Sequence, residues 1–174
     1  MKFFFIIPFF LIIFSCSETT PIEAAKSPTP DELIAHTAEF KKEVIEVTEG
    51  VHVAIGYALA NAILVEGENS NIIIDTTGTV ETAREVKALF DAINSNPIEA
   101  IIYTHNHGDH TYGATVFAED SNPDIYAHDS TEEYLSRVIG IIRPIISARS
   151  NRMFGNSLPR SEVENNGIGP FLEI

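Results

Sequence analysis

The sequence predicts an α/β fold whose sheet begins antiparallel and then takes a parallel step. Three observations carry this. Runs of strand length with alternating or wholly apolar character fall at Val44–Thr48, Val51–Ile55, Asn61–Glu66 and Asn71–Asp75, separated by turn residues. A stretch from Val80 to about Asn94 then has helical periodicity, with Ala83, Val86, Phe90 and Ile93 on one stripe. After a short connection comes a further apolar strand, Ala100-Ile101-Ile102-Tyr103. Strand, helix and strand in succession set two strands parallel.

Taken in order, the chain opens on Lys2 and an apolar run from Phe3 to Phe14, which is too short to span a bilayer as a helix and suits a signal-peptide core. Ile13-Phe14-Ser15-Cys16 follows and resembles a bacterial lipobox. The expected organisation is a signal peptide over 1–15, a lipidated Cys16 with a flexible tether over 16–40, and a catalytic-type domain over 41–174. That places the chain outside the cytoplasm as a membrane-anchored lipoprotein, facing the periplasm or cell surface, with Ser17 favouring the outer membrane. Cys16 is the only cysteine, so no intrachain disulfide is possible. Asp31 to Phe40 forms a short helix carrying an exposed His36.

Glu49-Gly50 turns the first two strands into a hairpin, with His52 expected to face solvent. Gly67-Glu68-Asn69-Ser70 turns the next pair. Asp75 ends a strand before two threonines and a glycine, and is expected to accept hydrogen bonds from its own turn and to buttress the loop beyond. Thr79 caps the Val80 helix and Asn94-Ser95-Asn96-Pro97 ends it. Asp124-Ile125-Tyr126-Ala127 is a short strand, with His128 at its carboxyl end. Ser130-Thr131-Glu132-Glu133 reads as a capping box before a long helix that Pro144 must bend or break. Arg137, Arg143, Arg149, Arg152 and Arg160 concentrate positive charge in this last third, and are expected to pair with acids across the helix surface rather than to clamp an anion.

The chemistry concentrates in Tyr103-Thr104-His105-Asn106-His107-Gly108-Asp109-His110, at the carboxyl end of an apolar strand. Imidazole nitrogens and a carboxylate are the ligands that zinc prefers. Residues two apart project to one side of extended chain, so His105 and His107 suit one ion. Asp109 and His110, beyond flexible Gly108, suit a second. Metals about 3.5–4 Å apart share a bridging water. Iron or manganese also suits such mixed donors.

This motif and its flanks resemble the metallo-β-lactamase superfamily of metal-dependent hydrolases, with Asn71-Ile72-Ile73-Ile74-Asp75-Thr76-Thr77 as the earlier strand. Ala58 to Gly67, Tyr103 to Gly113, Tyr126 to Thr131 and Arg152-Met153-Phe154-Gly155 resemble its zinc-dependent alkyl sulfatase branch. The resemblance implies an αβ/βα sandwich and a dinuclear zinc site with His105, His107, Asp109 and His110 as ligands. It also implies that Asp109 orients the attacking water, and that a primary alkyl sulfate is split into alcohol and sulfate by attack on carbon. A homodimer is implied for full-length forms. Other superfamily hydrolases, acting on thioesters, lactones or lactams, share these ligands. A non-catalytic lipoprotein fragment is the rival from another class.

The superfamily takes further ligands from later strands, yet no histidine follows His128, and Glu162, Glu164 and Glu173 lie in a stretch without strand character. The expectation is therefore that the chain carries the N-terminal half of the fold and half of the metal site. The net charge of −14, from 25 acidic and 11 basic residues, argues against nucleic acid as partner. A small-molecule ester remains the expected substrate, and membrane attachment is expected through the lipid on Cys16 alone.

Overall fold

The computed structural model describes residues 30–154. The lipobox cysteine Cys16, most of the tether, Arg160 and the three late glutamates lie outside the described residues. The elements in chain order are α1 (Pro30–Thr37), β1 (Glu43–Thr48), β2 (Val51–Ile55), β3 (Ala62–Glu66), β4 (Asn71–Ile74), α2 (Val80–Ile93), β5 (Ile98–Ile102), α3 (Gly108–Thr111), α4 (Ala114–Phe117), β6 (Asp124–Tyr126), α5 (Thr131–Arg137), a π-helical turn (Val138–Ile142) and α6 (Arg143–Met153). No described helix is long and apolar enough to cross a membrane.

The strands form one sheet in sequence order, β1 to β6. β1 through β4 are antiparallel, and β4, β5 and β6 run parallel. The parallel step falls where α2 intervenes, as the strand–helix–strand pattern requires. Thr79 caps α2, its hydroxyl accepting from the Thr82 N–H at 3.2 Å.

Period-two alternation in the strands builds the core. Ala54, Ala62, Leu64, Ile73 and Ile101 face α2 and α4, where they meet Ala83, Val86, Phe90, Val116 and Phe117. The alternate residues, Val53, Ile63, Val65, Ile72, Ile74 and Ile102, stay partly exposed. Parallel strands need cover on both faces, and these apolar side chains give the sheet a second face suited to further packing.

Four expectations need correction. His52 is buried, at 8% exposure, rather than solvent-facing. Its Nε2 lies 2.6 Å from Glu66 Oε1, while Asn94 at the end of α2 donates to Glu66 Oε2 at 2.7 Å. His52 pairs in register with Leu64, so Glu66 is its diagonal neighbour on the same face. The bonds from Asn94 and then His52 hold the Glu66 carboxyl below its usual range. The Ser130 capping box does not form. Ser130 adopts helical backbone angles, and its hydroxyl turns to His128 Nδ1 at 2.8 Å instead.

The α-helical arm is interrupted ahead of Pro144 rather than by it: α5 ends at Arg137 and α6 starts at Arg143. The chain widens into a π-turn in which the Arg143 N–H reaches Val138 O. Pro144 then falls in the first turn of α6, where a missing N–H costs nothing. Finally, Arg137, Arg143, Arg149 and Arg152 form no ion pair among the described residues. For Arg143, Arg149 and Arg152 the reason is visible in α6, whose eleven residues include no acid; nothing in the structure explains why Arg137 leaves Glu133, one turn away on α5, unpaired.

One glycine joins the sheet to the site. A Cβ on Gly113 would stand 2.0 Å from Thr76 O and 2.7 Å from the Ala83 side chain. Both neighbours belong to packed backbone or core and cannot swing away. Gly113→Ala should cost about 1–3 kcal/mol by overpacking. A urea unfolding midpoint equal to that of the unaltered chain would refute this contact.

Candidate metal centre

The parallel strands bring their carboxyl ends to one sheet edge. Asp75 follows β4, Thr104 follows β5 and His128 follows β6. The Asp75 N–H donates to Ile102 O at 2.9 Å, and the Tyr103 N–H to Tyr126 O at 2.9 Å, so the register continues past the strand ends. Ligand sites in open α/β sheets form at such edges.

His105, His107, Asp109 and His110 all meet there. The His105 ring lies between the other two, with centroids 4.6 Å from His107 and 4.1 Å from His110. The spacing argument separates His105 and His107 from Asp109 and His110. The short helix α3 instead folds His110 back over His105. Glycine at position 108 and the Thr111 hydroxyl bond to His107 O at 3.1 Å set that turn. Asp109 Oδ2 stands 3.4 Å from His110 Nε2.

Asp75 organises this group. The residue is buried, at 6% exposure. Oδ1 accepts from the Thr104 N–H at 2.9 Å. Oδ2 accepts from the Thr104 hydroxyl at 2.7 Å and from His110 Nδ1 at 2.7 Å. The Thr104 hydroxyl spends its proton on Asp75, so it accepts from His105 Nδ1 at 3.0 Å. That leaves the His105 Nε2 lone pair available. The expected buttress is therefore present, but its bonds go to the motif loop rather than to its own turn.

The electrostatics follow from these bonds. The hydrogen bonds that His110 donates to Asp109 and Asp75 raise its pKa to about 9. Burial opposes the charge on Asp75 and on Asp109, yet the bonds they accept hold both carboxyls below their usual range. Burial, then His110 and His107, lowers the His105 pKa. Without an ion, His110 is thus an imidazolium set between two carboxylates, and it must lose a proton before its Nε2 can bind one.

The donor types are those zinc takes: the His105 ring stands against those of His107 and His110, Asp109 lies beside His110, and His110 is fixed through Nδ1 by a buried carboxylate. Among the described residues, no three His, Cys, Asp or Glu donors are gathered into a ready coordination group.

Sequence reasoning missed the parts played by Thr76, Thr104 and Thr77. Thr76 holds the motif helix, its N–H donating to His110 O at 2.8 Å and its hydroxyl at 3.1 Å. Thr104 links Asp75 to His105. Asp75 and Thr77 adopt φ of +58° and +65°, a region costly for a β-branched residue such as Thr77. The only sequence signal was the run of threonines at the two strand ends. His128 lies at the predicted edge but is exposed and bonded to Ser130, not to the motif. His36 is exposed on α1, 3.5 Å from Glu39.

Comparison with known proteins decides the family. The model of the metallo-β-lactamase superfamily matches residues 56–152. The chain belongs to the metallo-β-lactamase superfamily. Among its superfamily relatives, a linear primary-alkylsulfatase from Pseudomonas sp. (strain ATCC 19151) is 32% identical over 114 residues, covering 62% of this chain and 22% of the relative. An alkyl/aryl-sulfatase of Saccharomyces cerevisiae is 29% identical over 118 residues, covering 67% of this chain and 17% of the relative. The solved structure of a stereoselective inverting sec-alkylsulfatase from Pseudomonas sp. superposes with a TM-score of 0.66 at 24% identity, covering 75% of this chain and 22% of that one. That likeness establishes the superfamily fold. The chain spans about a fifth of the length of these relatives, so it presents one part of the fold they share.

Proposed function

We propose that this chain forms part of a zinc-dependent hydrolase acting on primary alkyl sulfates. One observation carries the reading: His105, His107, Asp109 and His110 converge at the carboxyl edge of the sheet, with His110 fixed by buried Asp75. The similarity to alkylsulfatases supports the choice of substrate.

His105 and His107 would hold one ion, and Asp109 and His110 a second. Zinc, when bound, lowers the pKa of its water towards neutrality. Asp109, placed beside His110, is positioned to orient that water. Asp75 keeps the Nδ1 proton on His110 and so keeps Nε2 as the donor atom. The Thr104 hydroxyl does the same for His105.

Zinc stoichiometry on the purified, dialysed chain from Ser17 to Ile174, with a circular dichroism spectrum and a substrate panel, tests this reading. The panel contains an alkyl sulfate, a thioester, a lactone and a lactam. The partial ligand set predicts weak zinc retention by this chain, well below two per molecule. Sulfate release by a longer form with zinc, and no turnover of the other three, is the expected result. Turnover of another panel member without sulfate release moves the substrate within the superfamily. A folded longer form with no zinc and no hydrolysis would establish the non-catalytic alternative.

A further inference from the structure

A groove of about 490 Å³ opens beside the motif, between the start of α2, α3 and the α5–α6 arm. That volume falls within the range of about 300–1,000 Å³ for small-molecule sites. Its walls are mainly apolar. Val80, Tyr112 and Ile146 line it and remain 41%, 39% and 42% exposed, and Phe154 closes one side. Asp109 borders it from the metal motif.

Arg143 is the cation among the described lining residues. It stands at the join of the π-turn and α6, and its guanidinium has no partner among the described residues. Arg137, Arg149 and Arg152 also form no ion pair among the described residues, and what sets Arg143 apart from them is its place in the groove wall. The π-turn that carries Val138 and Arg143 to the groove adds a residue to the helical repeat. It thereby changes which side chains face the motif. Such turns recur at functional sites.

We propose that this groove seats a straight-chain anionic amphiphile, with Arg143 holding the charged head and Val80, Tyr112, Ile146 and Phe154 covering the chain. The charge complementarity selects the occupant: an uncharged alcohol would leave Arg143 unanswered, and an inorganic anion would leave the walls wet. The inference deepens the alkyl sulfate reading and rests on it for the nature of the head group. Arg143 is a specificity-determining residue here, acting on the part of the substrate that the metal ligands do not select.

The test is calorimetric titration of the full chain, in chelator, with decane-1-sulfonate below its micelle concentration. The carbon–sulfur bond of this probe resists hydrolysis, so binding is read without metal or turnover. Saturable binding of one equivalent is expected. Arg143→Gln should weaken it at least about tenfold, as should Ile146→Asp. Arg137→Gln, on the same arm outside the groove, should leave it unchanged. Arg143 is exposed, so its substitution keeps the fold, and a circular dichroism spectrum checks Ile146→Asp.

Equal affinity in Arg143→Gln overturns the proposal. So does uptake without saturation, or no binding because the chain's own residues after Phe154 or another partner fill the groove. A chain that binds the sulfonate in this manner while its longer form cleaves no sulfate ester sinks the hydrolase reading and keeps the groove. Sulfate cleavage with an indifferent Arg143 does the reverse.

Discussion

Asp75→Ala should lower the unfolding free energy by about 3–5 kcal/mol, the cost of removing one partner from a buried charged pair. Three bonds end on this carboxylate: from the Thr104 N–H, the Thr104 hydroxyl and His110 Nδ1. Alanine leaves the amide without its acceptor and the imidazolium without its main buried counter-charge. Alanine must also adopt φ of +58°, which asparagine tolerates far better. Asp75→Asn should therefore retain part of the loss, since it accepts from the Thr104 N–H but offers His110 no charge. Urea unfolding followed by circular dichroism, in chelator, orders the three proteins. An Asp75→Ala midpoint equal to the parent's would remove Asp75 from its central place in the site.

His107→Ala should have the opposite profile: a large loss of activity with little loss of stability. The ring is exposed, and the backbone carbonyl that takes bonds from the His110 N–H and the Thr111 hydroxyl remains in alanine. In a longer form that turns over an alkyl sulfate, the substitution should cut turnover by more than about hundredfold, the upper effect of disturbing a ligand's outer partners. It should also reduce zinc retention. The unfolding midpoint in chelator should stay close to that of the parent. Unchanged alkyl sulfate turnover would defeat the assignment of His107 as a ligand.

The contrast between Asp75 and His107 shows what could be read from the chain. His107 declares itself through residue type and spacing, because His-x-His-x-Asp-His has few other uses after an apolar strand. Asp75 was legible as a buttress but not by its partners, which lie 29 and 35 residues away. Its bonds depend on β4 and β5 lying parallel in one register. The His52–Glu66 hydrogen bond was invisible for the same reason: Glu66 is set by the strand register, and Asn94 by where α2 ends.

By itself the sequence determined the strands, the α2 helix, the parallel step and the histidine-rich motif. Those depend on local periodicity, capping and residue chemistry, which act within a few positions. Only the tertiary structure decided that His110 folds back over His105 and that Asp75 fixes both rings. It also decided that Thr76 clamps the motif helix and that Arg143 faces an apolar groove beside it. Each of these needs segments far apart in the chain to be held within hydrogen-bond or packing distance. The physical agent is the burial of Leu64, Ile73, Phe90, Ile101 and Phe117 in one core, which sets the register of the strands and the seat of α2.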